Sequence, residues 1–559
     1  MSVNASIIDL EKYSLPPGYR GAGNIASIYP VLPRKKGNVP FDIYDYKFII
    51  NDEETKKLIR EGRTIGCFYI ESPGMRNLLK RLNVETFEML TAVSSIIRPG
   101  VAESGMMQEF IARHRDAAKR TYFIPEMGEY LNETYGVMVY QEDVIKIAHH
   151  IAGLSLEEAD LLRRAMSGKM RSHAAMKRVT EKFFDSCLNK GLSDKNAKEL
   201  WRQISSFAGY SFCKAHSASF ALLSFQVAFL KAHYPAEFMA NVLNNGGGFY
   251  SSAVYIQEAK RFGIKVKLPC VNRSEYFYKG KGKEIRIGFI AVKHLSRNSA
   301  EFIVEERSRR GKYVSLLDFI IRTKLGPAET SILIKCGAMD AFGETRPTLL
   351  RLLDIYYKRR KVLEDDYNDL FMNETFALEE EIKTDVDYSI AEKCAEEYKA
   401  FDYMVTRHPL DFFPEFVNDP QITTAAAMNK LHGKRVRMIG WYISSKRVKT
   451  KKGDIMKFLS LEDLTGTFEA VIFPNVYMRV AEKTLTMGPY VVEGKVDAEA
   501  GSNLIVDKLE AVRETKINAE KFKDSSDDQY SPDDEGMREE DFYLAAKLDS
   551  GKLIKAYAG

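Results

Sequence analysis

The stretch KAHSASF, residues 214–220, places a lysine, a histidine and serines directly ahead of an apolar run. A helix beginning here would leave its first N–H groups unsatisfied and carry a partial positive charge, so it would suit an anion. Lys214, His216 and Ser217 are therefore candidate phosphate ligands. The same residues also read as a packed histidine with Ser217 or Ser219 as an ordinary N-cap. Arg163 and Arg164, followed by Lys169 and Arg171, add groups that suit phosphate oxygens or, alternatively, form a solvated basic face. Farther on, KRVKTKKG (446–453) reads as a basic loop leading into MKFLSLED. Lys449, Lys451 and Lys452, with Phe458 and Trp441 or Tyr442, combine charge and rings as single-strand-binding barrels do. The rings also read as barrel core, and Phe458, which alternates with polar neighbours, does so equally.

Other chemistries lack their signatures. There is no Walker A loop, G-x-S-x-G elbow, H-E-x-x-H or dinucleotide fingerprint. The six cysteines form no C-x-x-C pair, and the paired acids lie in helix starts or charged runs, so no metal site and no catalytic residue is assigned. A net charge of +5 over 559 residues conceals basic clusters at 163–178 and 446–453 and an acidic run at 524–541. No stretch approaches the ~18 apolar residues of a membrane span, and the first residues lack a signal-peptide pattern. A cytoplasmic protein without a membrane partner is expected.

The elements that must position these groups are mainly helices. SLEEADLLRRAM opens with a capping box, Ser155 with Glu158, and stops at Gly168, placing Arg163 and Arg164 in its C-terminal half. Ala197, Leu200, Trp201, Ile204 and Ala208 mark a second helix ended by Gly209. Phe220, Leu223, Val227 and Leu230 mark a third, starting near Ser217 or Ser219 and ending before Pro235, with Lys214 and His216 in the preceding loop. The fold class is multidomain α+β: a lead-in at 1–52, a helical region at 53–275, and a module of short strands and helices at 276–345. A charged helical connector follows at 346–430, then five alternating strands at 431–515 predicting a small antiparallel barrel of the OB type, and an acidic linker and tail at 516–559.

In this order, TIGCFYIESPGMRNLLKRL, SSIIRPGVAESGMMQEFIARH, YGVMVYQEDVIKIAHHIAGLSLEEADLLRRAM, FAGYSFCKAHSASFALLSFQVAFLKAHYPAEFM and GIKVKLPCVN resemble the fingers of the bacterial DNA polymerase III alpha subunit, the C-family replicative polymerase. KAFDYMVTRHPL and GDIMKFLSLEDLTGTFEAVIFP are similar to that family's connector and OB domain. The resemblance implies that Arg163, Arg164, Lys214 and His216 contact the triphosphate of an incoming dNTP, and that Arg76, Lys80 and Arg98 contact nucleic acid or support the fold. It also implies template-primer and single-stranded DNA as partners and Mg²⁺ as cofactor, its ligands lying in a palm that another chain would supply. Asp9 and Asp42 do not lie in a palm-like context.

Departures from the family pattern modify these expectations. Tyr69 replaces a usual glutamine, and His294 and Ser296 replace glycines of a helix-hairpin-helix turn. YNDLF (367–371) keeps the Leu370 and Phe371 anchor of a sliding-clamp peptide without its leading glutamine, and reads equally as an amphipathic turn. The reading is a polymerase III alpha-type subunit acting in template-directed synthesis; the alternative is a non-catalytic DNA- or clamp-binding accessory derived from one.

Overall fold

Residues 41–97, 105–166, 173–206, 213–362, 384–450, 452–498, 501 and 503–512 are described by a computed structural model. Every element below belongs to the compact unit that Tyr46 begins.

Helix α1 (Pro73–Leu82) starts where Ser72 accepts the Met75 N–H and proline occupies the first turn, and it buries Met75, Leu78, Leu79 and Leu82. Helix α2 (Phe87–Ile96) is capped in the same way by Thr86. Then come α3 (Gln141–Lys146) and α4 (Leu156–Met166). The α4 capping box is present: Ser155 N–H donates to Glu158 Oε2 at 2.9 Å and Glu158 N–H to Ser155 Oγ at 3.2 Å. Helix α5 (Asp194–Ser206) includes the predicted Ala197, Leu200, Trp201 and Ile204, whereas Ala208 and Gly209 lie outside the described residues. Met138, Val144, Leu162, Met166, Leu200 and Ile204 meet in one apolar core beneath these helices.

Helix α6 spans Lys214–His233, so Lys214, His216 and Ser217 belong to its first turn and not to a preceding loop. The cause is a long-range cap: the Glu142 carboxylate accepts the Lys214 N–H at 2.9 Å. Its serines suggest a later start because no local signal marks a cap supplied from α3. The fully buried face also differs from the predicted one, with Ala221, Phe225, Ala228 and Phe229 inside and Leu223 44% exposed. Because α6 is apolar nearly all round, spacing alone does not select its inner face. Helices α7 (Pro235–Asn245) and α8 (Ser252–Arg261) follow.

Strands β1 (Lys265–Lys267), β2 (Lys279–Lys281) and β3 (Glu284–Arg286) form a sheet in the order β1-β3-β2. After it come α9 (Arg297–Arg310), α10 (Leu316–Thr323), α11 (Pro327–Lys335), α12 (Arg346–Val362) and α13 (Ile390–Phe401). Five strands, β4 (Arg435–Lys449), β5 (Ile455–Glu462), β6 (Thr467–Ile472), β7 (Tyr490–Asp497) and β8 (Asn503–Ala511), then close a barrel in the order β4-β5-β6-β8-β7. The expected antiparallel barrel is present except at one seam, where β6 and β8 pair in parallel. Its core holds Met438, Leu459, Leu461, Ala470, Val492 and Val506, the inward alternation that the sequence pattern predicts. Among the described residues no helix is long and apolar enough to cross a membrane.

Candidate nucleotide and nucleic-acid interface

Two neighbouring residues on α3 gather the predicted phosphate ligands. Gln141 Oε1 accepts from Arg163 Nη1 at 2.8 Å, and Glu142 receives the backbone N–H of Lys214. Arg163 also binds Asp160 at 2.8 Å, as does Arg164 at 2.7 Å, although the Arg164 side chain stays 62% exposed. The Lys214 ammonium pairs with Glu133 at 2.7 Å and lies 5.4 Å from the Tyr140 ring centre. His216 is exposed and packs edge-on against Phe220 at 4.1 Å. Ser217 is a correction: it is fully buried and its Oγ lies 2.7 Å from Ser95 Oγ on α2, so it faces away from that surface. A residue three positions into a helix points about 60° from its first residue's direction, enough to turn Ser217 inward.

Sequence reasoning missed an aromatic cluster around Phe220, the ring against which His216 packs. Phe68 and Tyr69 lie 5.4 and 4.9 Å from the Phe220 ring. Phe68 is 49% exposed, and Tyr69 adopts φ 70°, a left-handed conformation unusual for an aromatic residue. Glu71 organises this loop, accepting the Gly66 and Phe249 N–H groups at 2.8 and 2.7 Å and the Tyr255 hydroxyl at 3.0 Å. The adjacent Phe68 and Tyr69 were the visible signal, but Phe220 carries a helical spacing that reads as core.

Arg76 and Lys80, expected to contact DNA or support the fold, lie at the seam between α1 and the barrel. Arg76 donates to Thr467 Oγ1 and the Gly62 carbonyl, each at 2.9 Å, and Asn77 beside it reaches Asn503 at 3.0 Å. Lys80 lines the same crevice as Tyr250 and Glu469, where burial and the charge of Arg76 draw its pKa down to about 8. Arg76 therefore ties α1 to the barrel, and Lys80 lines the seam beside it.

In the barrel, Lys446–Lys449 lie within β4 and not in a loop, since each pairs with β5 as far as Lys449↔Ile455. Lys449 and Lys452 are exposed. Phe458 is half-buried and stands opposite Lys446 and Val471, outside the apolar core, whereas Trp441 is buried against Leu410 and Phe413. Lys169, Arg171, Lys451, Arg98 and the Leu370–Phe371 pair lie outside the described residues.

The described residues do not fit a magnesium centre. Among the described residues no group of three or more His, Cys, Asp or Glu could hold a metal ion. Asp143 is buried with its carboxylate accepting the Val139 and Tyr140 N–H groups, and burial pushes its pKa up to about 7. No catalytic step follows from these side chains.

The replacement of glycine in the hairpin turn has a structural counterpart. His294 adopts φ 61°, and Ser296 caps α9 while its own N–H donates to Glu329 at 2.8 Å. A carboxylate thus occupies a helix start at which a phosphate would otherwise dock.

Residues 32–191 match the bacterial DNA polymerase III alpha subunit finger domain, and residues 263–349 match a helix-hairpin-helix motif. The chain is 32% identical over 504 residues to the DNA polymerase III subunit alpha of Staphylococcus aureus (strain MRSA252), covering 88% of this chain and 46% of that protein. It is 33% identical over 475 residues to that of Bacillus subtilis (strain 168), covering 83% of this chain and 41% of that protein. The chain thus spans about half the length of the curated relatives it matches. With a helical region that matches the fingers, a helix-hairpin-helix motif and a closed barrel in that order, the chain is similar over most of its own length to the bacterial DNA polymerase III alpha subunit.

Proposed function

We propose that this chain acts in template-directed DNA synthesis during replication or repair, in the cytoplasm, as the part that binds template-primer DNA and the incoming dNTP. The carrying observation is the turn at Gln141 and Glu142, which gathers Arg163 and the start of α6 beside Lys214 and His216. Lys214 is held by a partly exposed carboxylate, an ion pair of small net strength, so a triphosphate can displace Glu133 at little cost. The rings of Phe68, Tyr69 and Phe220, the last packed against His216, offer apolar surface to a base. Magnesium would be held by the carboxylates of a palm outside the residues described here, and a sliding clamp would be held through Leu370 and Phe371.

The test is dNTP affinity of the full chain bound to primer-template, with and without Lys214→Ala and Arg163→Ala. A charged hydrogen bond is worth roughly 1.5–3 kcal/mol, so each change should weaken binding at least about tenfold. Unchanged affinity in both variants would overturn the assignment. A second reading, a non-catalytic DNA- or clamp-binding accessory, is favoured by Glu142 occupying the helix start that a phosphate would use. Mixing with a palm-bearing chain distinguishes the two: primer extension that depends on Lys214 supports the polymerase role, and DNA binding without extension supports the accessory.

A further inference from the structure

A cleft of about 210 Å³ lies where three segments distant in sequence meet. Helix α8 contributes Lys260 and Arg261, the chain after α13 contributes Arg407, His408 and Asp411, and the turn after β5 contributes Asp463. Two nitrogens of these side chains, Arg261 Nη2 and His408 Nε2, are buried without a hydrogen-bond partner among the described residues.

The rest of the Arg261 guanidinium is committed. Its Nε donates to Glu258 at 3.2 Å and its Nη1 to Glu462 at 2.9 Å, which fixes the plane and leaves Nη2 without an acceptor. The His408 side chain is 5% exposed, and its Nδ1 accepts the Leu410 N–H at 3.1 Å, so the ring proton sits on Nε2. That Nε2 lies 3.7 Å from Glu462 Oε1, too far for a hydrogen bond. A buried donor with no acceptor is costly, and two on one cleft select a ligand rich in acceptor oxygens.

The remaining wall residues set the ligand's charge. Lys260 donates to the Val405 carbonyl at 2.6 Å and Arg407 is exposed at the rim, and among the described residues neither forms an ion pair. Asp463 is occupied by the N–H groups of Ala425, Thr465 and Gly466. Asp411 accepts the His408 N–H with one oxygen, Oδ2, at 2.9 Å. An anion that keeps a proton can donate it to this carboxylate, whereas one without a proton is repelled by it.

We propose that the cleft binds free inorganic phosphate in a protonated form. Arg261 Nη2 and His408 Nε2 donate to its oxygens, Lys260 and Arg407 balance its charge, and Asp411 accepts from its hydroxyl. Sulfate at neutral pH and the diester phosphates of a DNA backbone lack that hydroxyl, so neither is the ligand. Phosphate held there joins α8, residues 406–411 and the barrel, and so stabilises the folded chain. The inference goes beyond the proposed role in DNA synthesis and does not rest on it.

The experiment is the melting temperature of the full chain near pH 7, titrated with inorganic phosphate, sulfate or dimethyl phosphate at constant ionic strength. Phosphate should raise it saturably and the other two should not. Arg407→Gln removes an exposed cation without touching the core, and should weaken the apparent phosphate Kd about two- to fivefold. His408→Asn keeps an acceptor for the Leu410 N–H but deletes the Nε2 donor, and should weaken it about tenfold. The absence of a phosphate-specific shift, an equal shift with dimethyl phosphate, or a shift that both variants retain in full overturns the inference. A shift lost in Lys214→Ala and kept in both cleft variants also overturns it, by assigning the phosphate to the nucleotide surface.

Discussion

Lys214 and Lys231 lie near opposite ends of the same helix, and each meets a glutamate at 2.7 Å. At the first end the lysine and Glu133 side chains are 31% and 41% exposed; at the second, Lys231 and Glu258 are 0% and 7% exposed. Lys231 uses all three of its donors, on Glu258 and on the Arg63 and Ile65 carbonyls, each at 2.7 Å. Glu258 is shared with Arg261, which reaches across to Glu462 in the barrel at 2.9 Å. The same pair of residue types is therefore exchangeable at one end of α6 and locked at the other. Solvent makes the difference: a screened pair is worth little, whereas losing one half of a buried pair strands a charge.

The largest effect should come from breaking the locked end. Lys231→Met leaves Glu258 and two carbonyls short of a donor, and should lower unfolding free energy by about 3–5 kcal/mol in chemical denaturation. The acid limb of stability sharpens the comparison. Burial pushes the Glu258 carboxyl upward, but Lys231 and Arg261 outweigh it and hold its pKa at about 2 against an ordinary 4.5. Its contribution is complete above about pH 4.5 and is lost as pH falls towards 2. Wild-type denaturation midpoints should drop across that window, and those of Glu258→Gln should drop less.

At the exchangeable end the effects are smaller. Glu142→Ala removes the long-range acceptor from the start of α6 and should cost about 1 kcal/mol, the usual worth of an N-cap, read as a modest fall in melting temperature. Lys214→Ala should cost below about 1 kcal/mol of stability while still weakening nucleotide binding. If Lys214→Ala destabilises the chain as much as Lys231→Met does, the contrast between the two ends fails.

Much of the architecture was legible from local patterns. Ser155 and Glu158 announced the start of α4, Pro235 the end of α6, and alternation in RVRMIGWYI and FEAVIFP the strands of the barrel. Less of the candidate site was legible, because its parts meet across long stretches of chain. Glu142 caps a helix 72 residues away, Arg76 reaches a threonine 391 residues away, and the parallel β6–β8 seam gives no local sign. The lysines of KVK and KGKGK were visible as charge, but only the pairing of β1 and β2 onto β3 places them in common rows.

The sequence by itself determined which segments become helices and strands and which kinds of chemistry are on offer, because propensity, capping and hydrophobic period act within a few turns of chain. Only the tertiary structure decided which Lys–Glu pair is buried, that Ser217 turns inward, and that Arg76 binds a barrel strand. Burial and charge pairing depend on what the rest of the chain brings alongside, and neighbours in sequence do not encode that distance.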